Sequence, residues 1–295
     1  MKTQEINIRD PYVLLHGDTY YLYGTRSATC WGEADGFDCY TSRDLVAWKG
    51  PFEVFRRSEA FFADRNYWAP ECYFHGDKFC FLTTFGAADR KKGVYLLTAD
   101  SPLGPFIPVS DTPLTPEDWT SMDGSLYWDE DGTPWLIFSH SFKDTPDGDM
   151  CAVMLRHDLT RRVSEPVVLF SAVGAPWATP VPFAKAEFGM DGDVYFTDGP
   201  CVHKMSDGSL VMLWSGWSKG GYAVGTAMSP SGNICGPWEH REQPLFPENG
   251  GHGMVFRSKE GQLLYALHYP NDKLQEHPIF EPVTEQEGTL QLLNK

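Results

Sequence analysis

The chain has few basic residues, no long apolar run and no close pair of cysteines, and each shortage closes off a class of function. Only 24 Lys and Arg stand against 40 Asp and Glu among 295 residues, for a net charge of -16. A phosphate-binding surface needs Lys and Arg concentrated together, so neither nucleic acid nor an anionic membrane is expected as a partner. No apolar run approaches the roughly 18 residues of a membrane-spanning helix. The opening "MKTQEINIRDPY" carries no charged-then-apolar leader, so a soluble protein that stays in the cytoplasm is expected. The seven cysteines are odd in number and scattered, which fits neither a disulfide framework nor a zinc site, and they read as reduced, mostly buried thiols. Sustained helical spacing is scarce as well.

What the chain has instead is alternation and a repeat. Apolar residues alternate with polar ones between turn signals, which reads as all-β. One hairpin recurs as "HGDTYYLYGT", "HGDKFCFLTT", "DGTPWLIFSH", "DGSLVMLWSG" and "EGQLLYALHY". Its turn glycines, Gly17, Gly76, Gly132, Gly208 and Gly261, are spaced 59, 56, 76 and 53 residues apart. A Gly-Pro followed by an aromatic or nearby aromatic residue marks an outer loop in three copies, at Pro51, Pro105 and Pro237. Each copy has room for about four strands, the content of one propeller blade. The expectation is a five-bladed β-propeller occupying residues 1–295 as a single domain.

Just upstream of each repeated turn, the first strand of the hairpin opens with an ionisable residue: Asp10, Glu71, Asp123, Asp198 and His252. The innermost strands of a propeller line its central channel, so these side chains are expected to converge at one mouth of it. Four carboxylates crowded around a histidine raise one another's pKa, which is costly for structure alone and useful for acid-base chemistry. Taken singly, Asp before Pro or Gly is an ordinary turn residue. It is the shared register that argues for function.

The segments "RDPYVL", "YWAPECYFHGDKFCFLTTF", "SMDGSLYWDEDGTPWLIFSH", "TDGPCVHKMSDGSLVMLWSG" and "GGHGMVF" resemble, in order, the blade motifs of glycoside hydrolase family 43. The resemblance implies a five-bladed propeller that inverts configuration while hydrolysing arabinose-, xylose- or galactofuranose-containing glycans. It implies that Asp10 is the general base, that Asp198 is the general acid and that Asp123 orients the acid and tunes its pKa. The family's usual acid is Glu, so Asp198 is one methylene shorter, and Glu71 is the substitute acid if Asp198 falls short. The resemblance further implies that His252 faces a central cation or water, which makes a structural calcium or sodium ion in the channel an expectation. No cofactor is needed for the chemistry.

The remaining candidates concern the substrate. Trp68, just before "APE", is expected to stack on a sugar ring, with Trp31, Phe37 and Trp119 as further pocket wall. Glu71 is expected to hydrogen-bond sugar hydroxyls or neighbouring backbone. Arg257 or a backbone N-H is expected to hold Asp10 ionised, and Arg9 to face away from it, since neighbours in a strand point to opposite sides. The expected substrate is an imported bacterial oligosaccharide whose terminal α-L-arabinofuranosyl, β-D-xylosyl or β-D-galactofuranosyl unit is released. Two other readings are a sugar-binding propeller that has lost turnover and a protein-interaction propeller. A retaining fructan-cleaving propeller would need an Asn-Asp-Pro-Asn stretch, which is missing.

Overall fold

Five four-stranded antiparallel sheets, each made from consecutive strands, follow one another along the chain. The computed structural model describes residues 1–286 and 288–293. Their innermost strands are Ile8–His16, Arg65–His75, Ser121–Trp128, Asp198–Lys204 and Gly251–Arg257. Each pairs with the strand that follows the repeated turn: Thr19–Arg26, Lys78–Ala87, Pro134–His140, Leu210–Ser218 and Leu263–Tyr269. The arrangement is the expected all-β, five-bladed propeller.

The turn glycines do the work their spacing predicts. Gly17, Gly76, Gly132, Gly208 and Gly261 all have positive φ, and an added Cβ at any of them would meet nothing within 4 Å. Backbone conformation alone therefore requires glycine there. The Gly-Pro bonds at Pro51, Pro105 and Pro237 are cis in all three copies.

Apolar faces are buried between neighbouring blades. Phe37, Phe55, Tyr67, Phe81 and Phe85 fill the space between blades one and two. Leu82, Leu96, Leu136 and Phe138 fill the next, and Trp135, Trp177 and Trp214 the one after that. All seven cysteines are free, six of them buried and Cys235 exposed. No helix of the described residues is long and apolar enough to cross a membrane. The α-helix of the described residues is one short piece, Ala184–Phe188, in the connection between blades three and four.

Candidate active site

Every inner strand kinks where it begins. The five residues Asp10, Ala69, Asp123, Gly199 and His252 all have φ between 42° and 59°, a region that side chains other than glycine rarely occupy. The pairing register of all five hairpins shifts beside these positions. Bulges of this kind re-aim side chains, and they favour functional sites. The strain is held by hydrogen bonds from the preceding blade. Ala69 N-H donates to Thr25 Oγ1, Asp123 N-H to Thr84 Oγ1 and His252 N-H to Ser215 Oγ, each at 2.8 Å. Asp10 N-H donates to His268 Nδ1 at 3.2 Å, which closes the ring from blade five back to blade one. At the fourth junction Ser139 bonds instead to Thr197, through its carbonyl and hydroxyl. A Cβ on Gly199 would lie 2.8 Å from the His252 ring, so this copy of the kink must be glycine.

The kinks gather three carboxylates around one imidazole. His252 Nδ1 lies 3.5 Å from Asp10 Oδ1, 3.9 Å from Asp198 Oδ1 and 4.0 Å from Asp123 Oδ2. All four side chains are buried. Asp10 also accepts a 2.6 Å hydrogen bond from Thr25 Oγ1. Tyr222, which no sequence motif marked, donates its hydroxyl to both oxygens of Asp198 at 2.6 and 2.7 Å. Its ring stacks on His268. Because His268 Nδ1 accepts the Asp10 N-H, its proton sits on Nε2 and points at Asn271 Oδ1, 3.1 Å away. Burial keeps this ring neutral, with its pKa lowered to about 3.

These surroundings split the carboxylates. Burial pushes Asp10 up, but His252, Arg9 and the Thr25 hydroxyl outweigh it and hold Asp10 below the usual carboxylate value. Burial raises Asp123 to about 7 against the pull of His252, and Asp198 and Asp10 add to the rise. Asp198 moves up as well, through burial and the Asp10 charge, despite His252 and Tyr222. Burial opposes the charge on His252, yet Asp10, Asp123 and Asp198 together raise its pKa. The floor thus holds one ionised carboxylate and a close pair, Asp123 and Asp198, that retains a proton.

The site lies at the bottom of a cleft of about 1040 Å³, at the upper end of the range for ligand sites. Trp31 and Trp68 wall one side, edge to face at 5.6 Å, with Trp68 Nε1 bonded to Cys30 O. Phe142, Phe183, Phe188, Phe196 and Trp217 wall another part.

Several expected residues lie elsewhere. Phe37 is fully buried among aromatic rings between blades one and two, so it is core and not pocket wall. Trp119 stacks flat on His140 at 4.0 Å and does not line the cleft. Glu71 is not the counterpart of Asp10, since Ala69 holds that place in blade two. Its buried carboxylate accepts from Tyr73 and does not line the cleft, which removes it as a sugar contact and as the substitute acid. Arg257 ends the inner strand that His252 begins, far from Asp10, and its exposed guanidinium donates to Gly261 O. Arg9 takes over there. The kink at Asp10 breaks strand alternation, so Arg9 also lines the cleft, buried and bonded to Glu276 at 2.9 Å.

Asp123, Asp198 and His252 offer ligand atoms within 4.8 Å of one another. Calcium takes six to eight ligands, and the protein offers two carboxylates and one nitrogen here, with both oxygens of Asp198 already accepting from Tyr222, so water would have to supply most of its shell.

Comparison with known proteins agrees with the fold. A solved endo-arabinase from Bacteroides thetaiotaomicron is 35% identical, with 98% of each chain covered and a TM-score of 0.89. An endo-1,4-β-xylanase from the same organism is 25% identical, with 98% of this chain and 95% of the other covered and a TM-score of 0.77. The extracellular exo-α-(1→5)-L-arabinofuranosidase ArbA of Cellvibrio japonicus is 25% identical over 175 residues. That match takes in 54% of this chain and 46% of ArbA, so the match spans about half of that relative's length. The family profile described as Glycosyl hydrolases family 43 matches residues 4–290, and the chain belongs to that family.

Proposed function

We propose that the protein hydrolyses α-L-arabinofuranosidic bonds with inversion, using Asp10 as base, Asp198 as acid and Asp123 to keep the acid protonated. The observation that carries this reading is the opposite displacement of carboxylates that share one imidazole: Asp10 down, Asp123 and Asp198 up. An inverting glycosidase needs an ionised base to activate water and a protonated acid to meet the leaving oxygen, with roughly 6.5–9.5 Å between them. Asp10 and Asp198 each have an oxygen within 4 Å of His252 Nδ1. In the chemical step Asp198 gives its proton to the departing oxygen while Asp10 takes one from the attacking water. His252 and Thr25 keep Asp10 anionic until then.

The sugar is read from the named relatives, two of which act on arabinose-containing substrates by their descriptions. The aromatic walls supply stacking faces for it. A cleft of this size holds sugars on both sides of the cleaved bond, so the exo action expected from the sequence competes with cleavage inside a short chain. Linear arabino-oligosaccharides decide: release of arabinose alone supports exo action, and release of shorter oligomers supports endo action. An aryl-glycoside panel that includes β-D-xylosides and β-D-galactofuranosides tests the sugar. Proton NMR of the first product tests the stereochemistry, and retention would overturn the proposed roles. Sugar binding with no turnover on any substrate would favour the non-catalytic alternative.

A further inference from the structure

The molecule is strongly acidic, yet one stretch of the cleft is basic. Lys92, next to the floor, and Lys143, at the rim, both line it. The Lys92 ammonium sits 4.3 Å over the Trp68 ring and 3.7 Å from Met122 Sδ, adjacent in sequence to Asp123. Lys143 lies 4.9 Å over the Phe188 ring. Among the described residues neither ammonium has a carboxylate ion-pair partner, although Glu187 stands on the same wall as Lys143.

Asp123 is the carboxylate whose charge acts most on Lys92, and Asp144, the other acid acting on it, is already engaged. Asp144 binds Lys91 at 2.9 Å, the Thr120 N-H, the Thr120 hydroxyl at 3.1 Å and His140 at 3.3 Å. Lys91 therefore has its counter-ion and its two neighbours do not. Burial lowers Lys92 to about 8, and the Lys143 charge adds to that pressure while Asp123 resists it. Two cations resting on aromatic faces, mutually repelling and open to a ligand cleft, are arranged for an anion that arrives with the ligand. In a glycan cleft the fitting anion is a sugar carboxylate.

We propose that Lys92 and Lys143 form a subsite for the carboxylate of a hexuronic acid, so that the preferred substrate is an acidic glycan carrying arabinofuranosyl units. This deepens the reading above and rests on the same cleft. Lys92 reaches the carboxylate from the floor, beside Trp68, and Lys143 from the rim, with Trp68 and Phe188 flanking the ring.

Calorimetric binding of digalacturonate, of neutral galactobiose and of inorganic sulfate to the intact protein tests this without turnover. Digalacturonate is expected to bind about tenfold tighter than galactobiose at low ionic strength, as charge-assisted hydrogen bonds imply, and the gap is expected to shrink in added salt. Lys92→Met and Lys143→Ala should each reduce that preference and Lys92→Arg should keep most of it, with thermal unfolding confirming that each variant folds. Equal binding of the two disaccharides overturns the subsite, and so does sulfate binding as tightly as digalacturonate. Hydrolysis of a neutral aryl α-L-arabinofuranoside is scored separately: its absence counts against the proposed activity, whereas equal disaccharide binding counts only against the subsite.

Discussion

The two ends of the inner strands obey different rules. At the hairpin end all five blades carry glycine with positive φ in open space, and nothing there bears on chemistry. At the other end all five again have positive φ, but the residues are Asp, Ala, Asp, Gly and His. The hairpin end keeps its conformation by using the residue that tolerates it. In four blades the floor keeps its conformation through clasps from the neighbouring blade, which leaves the side chain free to differ, and in the fourth the kink is held by glycine itself. A repeated fold thereby acquires a site without repetition: the backbone is the same five times, and the carboxylates occur where the chemistry needs them.

Substitutions at the floor should break this contrast most sharply. Asp10→Asn is expected to cut kcat by roughly 10²–10⁴-fold on every substrate, in line with the loss of a general base. Asp198→Asn should cost as much on arabino-oligosaccharides but far less on a dinitrophenyl glycoside, whose leaving group needs no proton. Steady-state rates on the two substrates separate the roles, and equal losses for Asp198→Asn would remove it as the acid.

Next come the two classes of glycine. Gly199→Ala combines strained φ with a 2.8 Å approach to His252, and it is expected to cost at least about 1–3 kcal/mol of stability together with most activity. Gly208→Ala has the strained φ but open space, so about 1 kcal/mol of stability and no activity should be lost. Urea unfolding with parallel assays makes the comparison. Comparable activity losses in the two would mean that the floor has no special rule.

The pH profile sharpens the comparison further. With Asp10 lowered, Asp123 raised to about 7 and Asp198 raised as well, kcat/KM should be bell-shaped. Activity should rise as Asp10 ionises below the usual carboxylate range and fall near neutrality as the pair loses its proton. Tyr222→Phe removes a hydrogen bond that favours the ionised form of Asp198, so the alkaline limb should move up. Asp123→Asn removes a neighbouring negative charge, so that limb should move down. Opposite shifts are the expected result, and shifts in the same direction would contradict the pairing.

A last effect, on stability and not on turnover, lies below the floor. Glu71 is raised to about 8, chiefly by burial, so the folded state keeps a proton that the unfolded chain releases at its ordinary value near 4.5. Stability from this group is present at low pH and declines as pH rises from about 4.5 to about 8. Glu71→Gln should flatten the fall in Tm across that window relative to the parent chain.

Much of this was legible because repetition is legible. The glycine spacing gave five blades, and the register of ionisable residues put Asp10, Asp123 and His252 on kinks, with Asp198 one residue before the fourth kink at Gly199. Glu71 misled because counting back from the turn glycine cannot see a kink, and the kink in blade two falls on Ala69. Arg9 misled for a related reason: positive φ at Asp10 suspends the alternation that would have turned Arg9 outward. Tyr222 and Lys92 lie on third strands, and Thr25 and His268 on second strands, so they reach the floor from outside the motif-bearing strands. Phe37 shows the converse, a ring that reads like pocket wall in a glycine-rich segment but belongs to the packing between blades.

The link between His268 and Asp10 spans 258 residues of sequence and joins the last blade to the first, and Arg9 and Glu276 tie the same seam a little further along. Asp10, the proposed base, therefore stands on the joint of the ring, while Asp123 and Asp198 belong to interior blades. Turnover then reports on architecture: any loosening of the seam uncouples the water-activating half of the site before it disturbs the proton-donating half, so loss of activity should precede loss of the fold.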